Sequence, residues 1–239
     1  LFIFALIWSC CCTTNRRGRL FLDQFLRAEM EANSSQFLLP EGKPMYDFAF
    51  DLESSQWVPW MDTIDPYKWD PKKEFQEMII PTTDSVRYTY FFDILIRNDK
   101  HVLMSGPTGT GKTVNISQHL SVLPDKYVPL CLTFSAQTSA NQTQDLLDGK
   151  CEKRKKGVFG PSVGKQFIIF VDDINMPQRE FYGAQPPIEL LRQWFDSGGW
   201  YDRKALTFRT IADVLFAAAC GPPGGGRNPM TNRFVRHFN

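Results

Sequence analysis

The sequence has little net charge, and this absence argues against one large class of partners. Its 27 lysines and arginines nearly balance 26 aspartates and glutamates, which leaves a formal net charge of +1 over 239 residues. A protein devoted to nucleic acid generally carries a strong basic excess, so we expect no nucleic-acid partner. For the one basic cluster, a solvated loop is the favoured interpretation over a polyanion or filament contact. That cluster consists of Lys150, Lys153, Arg154, Lys155 and Lys156.

The sequence lacks cysteines at the spacing that a disulfide framework or a zinc site would need. Three of the six cysteines are consecutive, at 10–12, and cannot join separate segments. Cys131 and Cys220 lie in apolar, strand-like runs, where free thiols behave as small hydrophobic groups. No C-x-x-C pair is present, so a zinc site is disfavoured. A reducing compartment is the natural inference.

The sequence also lacks a hydrophobic run long enough to cross a membrane, which requires about 20 apolar residues. The segment from Leu1 to Cys12 is apolar but too short, and no basic region precedes it as in a signal peptide. We therefore expect no membrane partner, and we interpret the segment as a buried helix of a domain that begins before it. Palmitoylation of the cysteine triplet is the alternative. A second helix is expected to carry one apolar face, formed by Leu20, Phe21, Phe25 and Leu26.

What the sequence does contain is a glycine-rich loop of the form G-x-x-x-x-G-K-[ST]. Glycines let successive backbone N–H groups approach phosphate oxygens, where side chains would interfere. Lys112 would place a charge at the β- and γ-phosphates, and the Thr113 hydroxyl would bind Mg²⁺. An apolar strand precedes the loop and a helix follows it, which disfavours a chance match. The loop consists of Gly106, Pro107, Thr108, Gly109, Thr110, Gly111, Lys112 and Thr113.

A buried strand followed by two carboxylates forms the second half of the predicted site. Residues 167–171 are all apolar, as in a central strand of a parallel sheet, and Asp172 and Asp173 follow them. Ligands of open α/β sheets bind at the carboxyl ends of the strands. Asp172 is therefore predicted to hold Mg²⁺ together with Thr113, and Asp173 to orient the attacking water. A core strand that ends in a solvated acidic turn is the alternative.

Strands and helices alternate along the second part of the chain, which predicts a doubly wound α/β sheet. A boundary near residue 75 separates this part from a proline- and tryptophan-rich connector over 40–71. For its tryptophans, packing is favoured over an aromatic binding platform. The predicted helices are 74–78, 84–97, 112–122, 138–148 and 187–196. The predicted strands are 101–105, 128–134, 167–171, 204–210 and 213–220.

Three strings together resemble the dynein heavy chain family, in particular the third AAA+ module of its motor ring in an axonemal isoform. They are the phosphate loop, Val-Asp-Asp-Ile-Asn-Met-Pro at 171–177, and Gly-Pro-Pro-Gly-Gly-Gly-Arg-Asn-Pro at 221–229. The resemblance covers essentially the whole chain. It implies that residues 1–75 are the end of the preceding module's small lid subdomain plus a connector. Residues 76–239 would then be a large AAA+ subdomain of the P-loop NTPase fold, incomplete at its C-terminal end.

The resemblance also implies the ligands and the setting of the site. ATP and Mg²⁺ would be bound, with the backbone near Ile79 to Thr82 against the adenine. Arg233 or Arg236 would supply an arginine finger that acts in trans on the preceding module. The partners would be neighbouring AAA+ modules of the same heavy chain, microtubules through regions absent here, and dynein light and intermediate chains. The location would be the cytoplasmic cytoskeleton, in the axoneme of a cilium or flagellum.

Two departures from the usual AAA+ pattern leave the extent of hydrolysis open. Asp173 stands where the family generally has glutamate, which draws the carboxylate back by one methylene. Gly221 stands where a polar sensor side chain generally follows the strand. Two functions therefore remain. One is an ATPase module of a microtubule motor, with Lys112, Asp173 and, in trans, Arg233 as catalytic residues; the other is a regulatory module that binds ATP and hydrolyses it slowly or not at all.

Other phosphate-loop classes fit the sequence less well. A GTPase would require an Asn-Lys-x-Asp string to read guanine, and the sequence has none. A nucleic-acid-remodelling AAA+ protein would be expected to have a more basic balance. A giant ring ATPase of ribosome assembly is the nearest rival family, and the string at 221–229 disfavours it.

Overall fold

The computed structural model describes residues 1–33, 39–68 and 78–239, and the chain divides into two compact units. The first unit is Leu1–Arg87 and the second is Tyr88–Asn239. The short helix predicted over 74–78 falls outside the described residues, apart from Met78. Within the described ranges, no helix has both the length and the apolar character needed to cross a bilayer.

The first unit opens with two helices, as the sequence predicts. α1 spans Phe2–Cys10, and its buried residues are Phe4 and Ile7. α2 spans Arg16–Ala32 and begins at Asn15, whose side chain accepts a hydrogen bond from a backbone N–H of the first turn. This is the usual way in which an asparagine defines a helix start.

The apolar face predicted for α2 is wrong in part. Leu26 packs inward, but Leu20, Phe21 and Phe25 are exposed. The inward side of the helix carries Asp23 instead, whose carboxylate accepts a hydrogen bond from the backbone N–H of Met45 at 2.8 Å. A buried carboxylate is tolerated when its oxygens are paired in this way, and apolar spacing alone does not reveal such a pairing.

The connector contains a small antiparallel sheet of β1 (Phe48–Asp51) and β2 (Gln56–Pro59). Trp60 follows β2 and is 1% exposed. Its indole N–H donates to the carbonyl oxygen of Tyr46 at 2.9 Å. Trp60 therefore packs inside this unit, as expected, and offers no surface platform. Trp69 lies outside the described residues.

The second unit is built on a parallel sheet with helices on both sides. Helix α3 begins in the first unit and continues into the second. The helices are α3 (Thr83–Arg97), α4 (Lys112–Ser121), α5 (Ala140–Asp148), α6 (Pro186–Ser197) and α7 (Asn232–Val235). The strands are β3 (Val102–Ser105), β4 (Tyr127–Thr133), β5 (Glu152–Lys155), β6 (Val158–Gly160), β7 (Gln166–Asp172), β8 (Gly199–Tyr201), β9 (Phe208–Ile211) and β10 (Val214–Cys220).

Four strands form the central sheet in the order β3-β10-β7-β4, and all neighbours are parallel. Successive side chains of β7 alternate between the two faces of this sheet. Ile168 and Phe170 pack with the helices α3 and α4, whereas Ile169 and Val171 pack with α5 and α6. Both faces are covered, which explains the continuous apolar run of β7 and confirms the predicted parallel α/β fold.

A second four-stranded sheet, in the order β5-β6-β9-β8, was not predicted. The expected loop around the basic cluster is wrong, because β5 and β6 form an antiparallel hairpin that turns at Gly157, where φ is +76°. Most of its basic side chains are exposed, but Arg154 is half-buried and pairs with Asp213. Strand β6 of the hairpin also pairs with β9, a contact between segments about fifty residues apart in the printed sequence, which local propensity does not reveal.

Two further expectations need correction. The strand predicted over 204–210 begins later, at Phe208, because Asp202 accepts hydrogen bonds from the N–H groups of Lys204 and Ala205 and holds a turn there. Cys131 is exposed, whereas Cys220 is buried as predicted. Cys131 lies on β4, at the edge of the central sheet.

Candidate nucleotide-binding site

The glycine-rich loop connects the carboxyl end of β3 to the start of α4. The N–H of Gly106 donates to the carbonyl of Cys220 at 3.2 Å, which ties the loop to the neighbouring strand β10. Gly109 and Gly111 have φ values of +80° and +75°, a conformation that side chains disfavour. A Cβ at Gly109 would meet no other atom within 4 Å, so backbone conformation, not crowding, explains the glycine.

The start of α4 carries no capping side chain, so its first N–H groups are available to a ligand. The N-cap residue is Gly111, which has no side chain that could accept a hydrogen bond from the first turn. The first N–H groups of a helix have no partner within the helix, and the helix dipole is positive at this end. A loop of this kind is suited to an anion such as a phosphate.

Lys112 lies against the loop and can neutralise an anion there. Its ammonium group donates to the carbonyl oxygens of Gly106 and Pro107, both at 2.7 Å. Thr110 stabilises the same turn, since its hydroxyl donates to the carbonyl of Pro107 at 2.9 Å. The Lys112 side chain is thus folded back over the loop that is predicted to hold phosphates.

Thr113 and Asp172 meet at the carboxyl edge of the central sheet, although 59 positions separate them. The Thr113 hydroxyl donates to Asp172 Oδ2 at 2.7 Å. Asp172 ends β7, and its carbonyl accepts a hydrogen bond from the N–H of Phe134, just after the neighbouring strand β4. Hydroxyl and carboxylate oxygens are the ligands that Mg²⁺ prefers. The chemistry of this pair therefore fits a magnesium ion.

Asp173 follows at once but lies in a different environment. Its φ is +48°, which turns the chain out of the strand direction. Its N–H donates to Asp172 Oδ1 at 3.0 Å, and its own carboxylate accepts from the guanidinium of Arg227 at 3.0 Å. The two side chains of this ion pair remain 36% and 22% exposed, respectively.

Arg227 is the site residue that sequence reasoning missed. It lies in the segment that follows β10, and its side chain passes directly over Gly221. A Cβ at Gly221 would stand 2.5 Å from Cδ and 2.6 Å from Nε of Arg227, closer than real contacts allow. In the sequence, an arginine follows the three glycines at 224–226, which marks this position as unusual. The sequence does not indicate which group the arginine would contact.

Cys220 lies beside the loop as a neutral thiol. Burial raises the pKa of this side chain. Because a thiol reacts as the thiolate, the raised pKa argues against a nucleophilic role. Within the described part of the chain there is also no group of three or more His, Cys, Asp or Glu side chains that would form a protein-only metal cage.

The structure does not bring the two candidate finger arginines to this site. Arg233 is exposed on α7, and Arg236 donates to Asp196 at 3.2 Å. Across the described ranges, neither arginine has a hydrogen bond or ion pair with the phosphate loop or with the two aspartates. The finger role in trans and the adenine contact expected for Ile79 to Thr82 both stay predictions.

Comparison with known proteins yields matches over both parts of the chain. Residues 67–239 match the family model described as the P-loop containing dynein motor region. Residues 1–62 match the model described as the dynein heavy chain AAA lid domain. Both matches agree with the resemblance that the sequence motifs carry.

Curated relatives are similar over the whole chain. It is 48% identical over 256 aligned residues to dynein axonemal heavy chain 1 of Mus musculus, and the match covers 100% of this chain and 6% of that protein. It is 44% identical to dynein axonemal heavy chain 12 of Mus musculus, again over 100% of this chain and over 8% of the relative. For dynein axonemal heavy chain 3 of Homo sapiens, the identity is 43%, with coverages of 100% and 6%. The chain thus spans less than a tenth of the length of these relatives.

Proposed function

Because the chain belongs to the dynein motor-region family of P-loop proteins, we propose that it binds ATP together with Mg²⁺ at the loop 106–113. The observation that carries the proposal is the 2.7 Å contact between Thr113 and Asp172. The contact joins the two side chains that are predicted, from separate motifs, to bind magnesium, and it lies at the last residue of the loop. A structural turn at the end of a core strand would not require this contact.

The proposed roles follow from the chemistry of each group. Within the loop 106–113, the N–H groups from Thr108 to Thr113 would surround the phosphate oxygens, and Lys112 would leave the loop carbonyls to contact the β- and γ-phosphates. Thr113 and Asp172 would hold Mg²⁺, which neutralises charge on the phosphates when it is bound. Magnesium sites of this class need only one or two protein oxygens besides the phosphates and water.

Hydrolysis at the site is proposed to be slow. The oxygen of a water would bond to the γ-phosphorus, the bond from that phosphorus to the bridging oxygen of ADP would break, and the carboxylate of Asp173 would accept a proton of the water. In the structure, one oxygen of this carboxylate is already engaged by Arg227. That contact favours the regulatory alternative, in which bound ATP holds the module against its neighbours, over rapid turnover.

The wider setting is proposed from the relatives. As part of an axonemal dynein heavy chain, the module would contact neighbouring AAA+ modules and would couple its nucleotide state to movement along microtubules in a cilium or flagellum. Contact with microtubules would be made through regions outside this chain, and light and intermediate chains would be further partners. Arg233 would act on the site of the preceding module as a finger in trans.

Isothermal titration calorimetry tests the proposal with the 239-residue chain. Mg·ATP should bind, and Lys112→Ala should weaken binding about 10- to 100-fold, because a charged hydrogen-bond donor contributes about 1.5–3 kcal/mol. Lys153→Ala is the matched control, since Lys153 is an exposed lysine on β5 and outside the loop. Absence of binding heat with the wild-type chain, or equal losses in the two variants, would overturn the proposal.

A further inference from the structure

The ion pair of Asp173 with Arg227 closes the hydrolytic side of the proposed site. Arg227 donates to Asp173 Oδ1, so one of the two oxygens able to take the proton of a water is occupied. The contact therefore acts on the step in which Asp173 would serve as the base.

The segment that bears Arg227 is held in place by several backbone contacts. Arg227 and Gly224 exchange backbone hydrogen bonds at 3.0 Å in a tight turn. The side-chain amide of Asn175 donates to the carbonyls of Gly221 at 2.9 Å and Asn228 at 3.2 Å. Asn175 is 2% exposed and lies two positions after Asp173, so it ties the aspartate and the arginine segment to each other.

Gly221 has a specific role in this arrangement. The sequence suggested that Gly221 lacks the polar side chain that generally positions the attacking water. In the structure, the space that such a side chain would occupy is filled by Arg227, since a Cβ would collide with its Cδ and Nε. The glycine therefore makes room for the arginine to reach Asp173.

The pair is nevertheless able to open. The Nε–H of Arg227 is buried and has no acceptor among the residues that the structure describes. An unmade hydrogen bond at a buried donor costs about 1–3 kcal/mol, so the closed arrangement contains a local penalty. Rotation of the arginine away from Gly221 would free both the Nε–H and the carboxylate.

From these contacts we propose that Arg227 is a positioning residue that restrains Asp173 and keeps ATP hydrolysis at this site slow, with Gly221 as the residue that permits the restraint. The inference rests on the proposed function, because it concerns the fate of ATP bound at the same loop. Arg227 acts through Asp173 and is not required for the binding of ATP. The restraint therefore affects turnover and leaves affinity nearly unchanged.

Single-turnover hydrolysis of Mg·ATP, measured beside equilibrium binding, tests the inference in the 239-residue chain. Arg227→Gln should raise the hydrolysis rate about tenfold, since a freed general base contributes at least that much, while the Kd for Mg·ATP changes little. Gly221→Ala should give the same increase, because the new methyl group displaces Arg227. Arg227→Lys, which keeps the charge, should stay close to the slow wild-type rate.

Two additional variants separate the restraint from general effects. Adding Asp173→Asn to Arg227→Gln should remove the increase, because the freed carboxylate is gone. Arg203→Gln is the matched control, since Arg203 forms an ion pair with Asp145 on the surface of the same unit. That control should hydrolyse ATP at the wild-type rate.

The outcomes distinguish the two proposals. Normal binding with hydrolysis that is unchanged or slower in both Arg227→Gln and Gly221→Ala would overturn the restraint and leave the binding function standing. An increase that survives Asp173→Asn would also overturn it. Failure of the wild-type chain to bind Mg·ATP would overturn the proposed function and the restraint together.

Discussion

Asp172 and Asp173 are neighbours in the sequence, yet their surroundings in the fold are opposite. Asp172 ends β7 and meets a hydroxyl from the phosphate-loop helix, an arrangement that an incoming cation would complete. Asp173 has left the strand direction at φ +48° and meets a guanidinium, which already neutralises its charge. The first carboxylate pairs with a neutral hydroxyl, and the second pairs with a cation of the same chain. Under the proposed function, these adjacent residues would have different roles, Asp172 in binding Mg²⁺ and Asp173 in restrained hydrolysis.

Strand β7 ends at Asp172, and Asp173 follows it directly. The largest expected effect comes from a substitution that weakens the packing of this strand. Ile169 is 3% exposed in the core under the site. Ile169→Ala should lower the free energy of unfolding by about 2–5 kcal/mol through lost packing and a cavity. Urea denaturation measures the change, and Val163→Ala, at a position that is 87% exposed, is the control. A cost below that of the control variant would show that β7 is not a rigid support of the site.

The next largest effect is a difference in affinity for ATP between variants of the two aspartates. Asp172→Asn should lower the affinity for ATP about 10-fold or more in the presence of Mg²⁺, because one charged ligand of the ion is lost. Its affinity without Mg²⁺ should change little. Asp173→Asn should leave both affinities near the wild-type values, since Arg227 already pairs with that carboxylate. Calorimetry with and without Mg²⁺ measures both variants, and identical losses would end the distinction between the two residues.

The smallest effect concerns the opposite end of the same sheet, where the titratable side chain of His101 is partly buried. His101 precedes β3, and its Nδ1 accepts a hydrogen bond from the N–H of Phe216 at 3.1 Å. Burial, with smaller effects from His237 and Lys100, lowers the pKa of His101 from 6.5 to about 4. Between these values the unfolded chain binds a proton that the folded chain does not, so stability falls as the pH is lowered from 6.5 toward 4.

His101→Gln should remove that part of the pH dependence. Thermal denaturation at pH 7 and at pH 4.5 would show a smaller drop in Tm for the variant than for the wild-type chain. Equal drops would mean that His101 does not stay neutral in the fold. A smaller drop would show that the amino end of the sheet keeps a neutral histidine, in contrast to the charged aspartates at its carboxyl end.

Much of the fold was predictable because its signals are local. The apolar run of β7 has no polar interruption, which is the pattern of a strand covered on both faces, and the structure confirms it. The second sheet was not predictable in this way. Its strands β5, β6, β8 and β9 are short and partly polar, and its two halves are joined by the pairing of β6 with β9, strands that lie far apart in the sequence. Local propensity is a weak guide where pairing supplies the stabilisation.

The sequence by itself determined the identity of the loop and of the carboxylate predicted to bind metal, because backbone freedom at glycine and the chemistry of Lys112, Thr113 and Asp172 are properties of the residues themselves. Only the tertiary structure decided the state of Asp173. Its partner Arg227 stands 54 positions away and reaches it only because the chain crosses Gly221 at close range. The type of a residue fixes its chemistry, but the charged group that pairs with it depends on the distant segment that the fold places beside it.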